Sequence, residues 1–173
     1  MKQTLSVADT VMSLSHPLNR AWRSVERLFR RPARLQIAAL CYRFRNGVLE
    51  VLLVSSKSSG RWILPKGWPI LHRKAHRTAG IEAFEEAGVV GKVSKKPYAR
   101  FRSTKGFNHD FRVRTDVLVF LLRAEAQKDD FPEAGQRTAL WLPIDEAIGR
   151  CSEEGLAAVL RLLKHDMAAR QTA

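Results

Sequence analysis

The stretch GIEAFEEAGV, Gly80 to Val89, carries Glu82, Glu85 and Glu86 at i, i+3 and i+4. On a helix these positions share one side, where like charges repel by about 0.2–0.5 kcal/mol per pair. The chain nevertheless holds 30 basic and only 17 acidic residues, so three clustered carboxylates need an explanation. One reading is a solvated acidic face. The other is a bound cation. Carboxylates are hard oxygen ligands suited to Mg²⁺ or Mn²⁺, and Mg²⁺ commonly takes one or two carboxylates together with substrate phosphate oxygens. The same segment predicts a helix over 74–87. Ala75, Ala79, Ala83 and Ala87 recur along it every four residues, a small-residue stripe that lets a helix approach a sheet closely. Gly88 stands where a helix C-cap is expected.

Upstream, LQIAALCYRF (35–44) is a near-continuous apolar run, the pattern of a strand buried on both faces. Asn46-Gly47 signals a tight hairpin turn, and VLEVLLVSS (48–56) is the returning strand. KSSG (57–60) reads as a loop, and RWILPKGWP (61–69) as a short strand running into a Pro/Gly-rich turn. Downstream, strands are predicted at 89–94, 97–103, 111–123 and 138–143, with a polar loop at 127–136. Helices follow at 144–149 and 152–169. Leu156, Val159, Leu160 and Leu163 form the buried face of the last one. Hairpin, strand, helix, strands, helices is the order of an α+β domain with a mixed sheet and helix packed against it.

The whole chain of 173 residues fits one domain with short additions. Its formal charge of +13 argues for an anionic partner: nucleic acid, a polyphosphate or an anionic surface. Two well-separated cysteines, Cys41 and Cys151, do not make a disulfide framework, so a reducing cytoplasmic setting is expected. No apolar run reaches the roughly 18 residues of a membrane span. Residues 1–33 are expected to form a basic helical extension, with apolar positions at helical spacing over 16–31 and Pro32 ending the helix. That segment reads as a solvated helix, a surface-binding helix or, in a eukaryote, a transit peptide. The main domain is expected at 34–173.

From Gly67 the chain reads GWPILHRKAHRTAGIEAFEEAGV. This resembles the signature of the Nudix hydrolases, G-x5-E-x7-R-E-U-x-E-E-x-G-U, where U is a bulky aliphatic residue. Gly67, Glu82, Glu85, Glu86, Gly88 and Val89 fall in register. Arg73 stands where the signature has Glu, Ile81 where it has Arg, and Ala83 is smaller than the usual U. ALCYR, EVLLVSS, RWILPKG and AGQRTALWLPIDEAI are similar to the diphosphoinositol polyphosphate and diadenosine polyphosphate phosphohydrolases. The likeness covers about 36–150.

The resemblance implies a Nudix-type α/β/α sandwich containing the Nudix loop and helix. It implies Mg²⁺ or Mn²⁺ held by Glu82, Glu85, Glu86 and the backbone carbonyl of Lys66, with Glu85 or Glu86 serving catalysis. By motif position, Arg43, Ser56, Lys57, Arg61, Lys66, Gly67, Arg112 and Arg137 would contact substrate. The reaction implied is hydrolysis of a phosphoanhydride in a diadenosine polyphosphate or diphosphoinositol polyphosphate. Two alternatives stand beside it: an RNA-end or nucleotide-sugar pyrophosphohydrolase, and a catalytically weak domain that binds a ligand or nucleic acid. The changes at 73 and 81 motivate the last; the three retained glutamates argue against it. Oligomeric state is not legible in the sequence.

Overall fold

The structure is a computed structural model that describes residues 34–107 and 111–171. The helix expected at 16–31 lies outside the described residues. The elements are β1 (Arg34–Arg45), β2 (Val48–Ser55), β3 (Trp62–Ile63), β4 (Lys66–Gly67), α1 (Ala75–Ala87), β5 (Val89–Val93), β6 (Ala99–Phe107), β7 (Phe111–Gln127), β8 (Ala139–Pro143), α2 (Ile144–Arg150) and α3 (Glu154–Gln171). The eight strands make one mixed sheet. Its main path runs β3-β2-β1-β7-β5, with β4 on β1, β6 on β7 and β8 on β2. The β1–β7 pairing is parallel.

Strand β1 organises both layers. Ile37, Ala39 and Cys41 point into an apolar cluster with Ala79, Ala83 and Ala87 of α1. Ala38 and Leu40 point the other way, into a cluster with Leu156, Leu160 and Leu163 of α3. Period-2 alternation on a strand covered on both sides leaves no polar position, which is why 37–41 is unbroken apolar sequence. The α/β/α sandwich is therefore present. The alanine stripe faces the sheet, and Ala79, Ala83 and Ala87 are fully buried. Asn46 and Gly47 have φ of 52° and 79°, the left-handed pair that a type I′ hairpin requires.

Two boundaries differ from expectation. The expected strand at 97–103 becomes β6 over 99–107, and β7 runs on to Gln127. Their antiparallel ladder extends from Ala99↔Val119 to Phe107↔Phe111, and continuous pairing carries polar residues that pattern alone assigns to loop. The segment after β2 also divides. β3 stays on β2, whereas β4 crosses to β1 through Ile37↔Gly67 and Ala38↔Lys66. Pro65, which has no N–H to give, accepts a bond from the Ala39 amide at 3.0 Å. This crossing brings the PKG turn beside α1.

Gly88 ends α1 with φ of 68° and donates to the Ala83 and Phe84 carbonyls. A Cβ there would overlap the Lys128 carbonyl oxygen and press on Phe131. Gly88→Ala should therefore destabilise the fold by roughly 1–3 kcal/mol, the cost of a left-handed non-glycine residue, with the overlap in addition. A lowered midpoint in thermal or urea unfolding checks this.

Candidate active site

The alanine stripe fixes the rotation of α1, and that rotation sends Glu82 and Glu86 along one edge of the helix toward β4. Gly67 lies directly against Glu82: a Cβ on Gly67 would overlap the Glu82 carboxylate. Glu86 is buried. Its Oε2 accepts the Lys66 backbone N–H at 3.3 Å, and its Oε1 meets an Arg137 guanidinium nitrogen at 2.8 Å. The Arg137 Nε donates to Glu133 at 2.6 Å, so one buried guanidinium joins two carboxylates. Glu133 also meets the Lys57 ammonium at 2.8 Å, and its backbone N–H donates to the Glu85 carbonyl at 3.0 Å. The 127–136 loop is thus tied to the carboxylate helix by both main chain and side chain.

Burial pushes the Glu82 carboxyl up to about 7, helped by the neighbouring charges of Glu85 and Glu133 and opposed by Arg137 and Lys66. Burial likewise pushes Glu86 up to about 7; Arg137 and the Lys66 amide act in the opposite direction and do not cancel it. Glu133 moves the other way. Its burial is outweighed by hydrogen bonds from Lys57 and Arg137, which hold it below the usual carboxylate range.

Crowded carboxylates resisting ionisation are what a divalent cation relieves. Two carboxylates with a nearby main-chain carbonyl make a hard-oxygen donor set that fits Mg²⁺ or Mn²⁺ when substrate oxygens complete it. Among the described residues, no three Asp, Glu, His or Cys side chains converge as a ready metal cage. Glu85 is exposed and lines a separate cleft on the outer side of α1.

Ser56, Lys57, Arg61, Lys66, Glu86 and Arg137 line one cleft of about 200 Å³, so most of the expected substrate-contact residues come together. Arg43 does not join them. Its Nε donates to Glu50 at 2.7 Å, and its guanidinium lies 4.2 Å from the centre of the Trp141 ring. It stands seven residues along β1 from Gln36, which lines the cleft, or roughly 23 Å at strand rise. Arg112 lies on β7 opposite Gly106, and its side chain is outside what the structure describes.

Sequence reading missed Glu133 and Glu153. Glu153 accepts from the Ser103 hydroxyl at 2.9 Å and lies 3.5 Å from Arg61. The four-residue spacing of Glu133 and Arg137 was a readable sign of an acid–base pair; nothing local announces Glu153.

No protein-family model matches the chain. Among solved structures, the *C. elegans* Ap4A hydrolase binary complex superposes with a TM-score of 0.62 at 17% identity, covering 79% of this chain and 99% of that one. The NUDIX domain of *Shewanella oneidensis* NrtR complexed with ADP ribose gives 0.57 at 15% identity, covering 78% of this chain and 89% of that one. The architecture is thus a Nudix fold. Mouse diphosphoinositol polyphosphate phosphohydrolase 3-alpha is 30% identical over 131 residues, 73% of this chain and 76% of that protein. *Arabidopsis thaliana* Nudix hydrolase 21, chloroplastic, is 29% identical over 161 residues, 88% of this chain and 76% of that protein. Nudix hydrolase 12, mitochondrial, from the same plant is 32% identical over 115 residues, covering 65% of this chain and 57% of that protein. The chain spans little more than half of that last relative's length. It belongs to the Nudix hydrolase family.

Two measurements test the geometry. Carboxyls raised from the ordinary 4.5 to about 7 bind protons more readily folded than unfolded, so their contribution to stability falls as pH rises between those values. Without divalent ions, Tm should decline from pH 5 to pH 8 more steeply in the wild type than in Glu82→Gln, read by calorimetry. Gly67→Ala should displace Glu82 and weaken Mn²⁺ binding by about 10–100-fold, the usual effect of disturbing a ligand's support, read by titration calorimetry.

Proposed function

We propose that this chain is a metal-dependent hydrolase of a phosphoanhydride bond in a polyphosphorylated small molecule, of the diadenosine polyphosphate or diphosphoinositol polyphosphate kind. The observation that carries the reading is the junction of Glu86 with the basic cleft: carboxylates suited to a divalent cation adjoin Lys57, Arg61, Lys66 and Arg137. Glu82, Glu86 and the Lys66 carbonyl would hold Mg²⁺ or Mn²⁺, with Glu85 at the margin. When bound, the metal neutralises phosphate oxygens and lowers the pKa of a coordinated water.

The chain's own residues do the rest. Arg137 fixes the Glu86 carboxylate while anchored on Glu133, so it positions the carboxylate as well as adding charge. Lys57 and Arg61 offer phosphate a point charge and a planar fork respectively. Ser56 lines the cleft, and Gly67 packs against Glu82 beside it. Glu85 or Glu86 would take a proton from attacking water. Residues 34–173 would make up the catalytic domain and 1–33 the basic extension. Cys41 and Cys151 are free thiols, which supports a reducing compartment such as the cytoplasm; no described helix is long and apolar enough to cross a membrane.

The +13 charge also favours an RNA-end substrate, and the test separates the two. Phosphate release is followed with Mg²⁺ or Mn²⁺ across diadenosine polyphosphates, inositol pyrophosphates, ADP-ribose, NADH and triphosphorylated RNA, with Glu86→Gln in parallel. Metal-dependent release from a small polyphosphate is expected, reduced by about 100-fold or more in Glu86→Gln, with folding unchanged. Release from RNA alone, falling steeply with salt, would favour the nucleic-acid reading. Near-normal turnover in Glu86→Gln would overturn the site assignment.

A further inference from the structure

The outer side of α1 borders a second cleft that shares only Glu85 with the proposed metal site. Arg73, just ahead of the Lys74 N-cap, and Arg77, Ile81, Phe84 and Glu85 of the helix line this cleft of about 670 Å³, which also includes Pro132. A depression of about 470 Å³ beside Lys74 shares Arg73 and Arg77 with it. Among the described residues, the side chains of Arg73, Lys74 and Arg77 have no ion-pair or hydrogen-bond partner. The hydrolytic cleft differs: there Lys57, Arg61 and Arg137 each face a carboxylate.

This charge is held at a cost. Arg73 precedes the helix and Arg77 stands in its first turn, so both crowd the end of α1 where the helix dipole disfavours cations. The first turn contains no acidic residue. Both departures from the family signature contribute. A Glu at 73 would remove one of the two cations; an Arg at 81 would replace apolar wall with charge. Arg73 and Ile81 instead leave a cleft that is cationic at one end and apolar along its side.

We propose that this cleft is a second binding site, distinct from the hydrolytic one, for a nucleotide-sized phosphorylated molecule. Arg73 and Arg77 receive its phosphates in fork geometry, and Ile81, Phe84 and Pro132 cover its apolar body. Glu85, the carboxylate on the lining, stands about 12 Å along the helix from Arg77 and repels phosphate, which sets the ligand's direction. The volume lies within the range of about 300–1,000 Å³ usual for small-ligand sites.

ATP is the probe, titrated calorimetrically into the full chain in EDTA, so binding is read without turnover and independently of the hydrolytic reading. Arg73→Ser/Arg77→Ser should weaken ATP binding by about tenfold or more, since two charge-assisted contacts are lost. Lys95→Ser/Lys96→Ser, which removes the same charge elsewhere, should have little effect, and inorganic triphosphate should bind more weakly than ATP. Both arginines are exposed, and thermal unfolding checks that the variant folds. Equal weakening in the lysine variant would reduce the site to diffuse charge. Loss in Lys57→Ser but not in the arginine variant would place ATP in the hydrolytic cleft. Triphosphate binding as tightly as ATP would remove the role of the apolar wall. A single-stranded oligonucleotide that outcompetes ATP through the same arginines would make the face a nucleic-acid surface. Each of these results overturns the proposal.

Discussion

The close approach of α1 to the sheet is the constraint on which the site depends. Ala79, Ala83 and Ala87 have no side chain beyond Cβ, so the helix axis can settle low over Ile37, Ala39 and Leu52. A larger residue at any of them would lift or rotate the helix. That rotation decides which carboxylates reach β4 and which face solvent. Glu82 and Glu86 turn inward; Glu85 turns out. The three glutamates of one sequence motif therefore serve two surfaces.

Packing also accounts for the raised proton affinity of the inward pair. The fold buries Glu86 under the PKG turn before any substrate arrives, and a lone guanidinium does not fully repay the lost hydration. Arg137 is in turn held by Glu133, which Lys57 also contacts. The cleft is a chain of alternating charges rather than a set of open cations. On the proposed reading, a phosphate would enter an existing network and have to redistribute its contacts, and a divalent ion on the carboxylates would ease that redistribution.

Much of this was legible in the residues. Asn46-Gly47 specified the hairpin because two left-handed residues in succession suit few other sequences. The apolar run at 37–41 specified a strand covered on both faces, and the alanine spacing specified the helix face. Glu82 and Glu86 were legible because four-residue spacing puts them on one side of a helix; the outward turn of Glu85 depends on how the helix is seated and was not. Arg43 was not: the hairpin register that opposes it to Glu50 and the β2–β8 pairing that brings Trp141 near place it far from the cleft, and motif position carries neither fact. Glu153 was equally hidden. It looks like the acidic start of a helix, and only the packing of α3 near β6 brings it to Ser103.

The contact between Gly67 and Glu82 has an evolutionary consequence. Because the glycine hydrogen and the carboxylate occupy adjoining space, the two positions form one steric unit drawn from distant parts of the motif. A side chain gained at 67 pushes the end of the flexible Glu82 side chain aside, so the fold can accept it while the carboxylate loses its place beside β4. Substitutions at the two positions should therefore be strongly non-additive. Drift at 67 alone therefore costs the placement of the carboxylate rather than the fold.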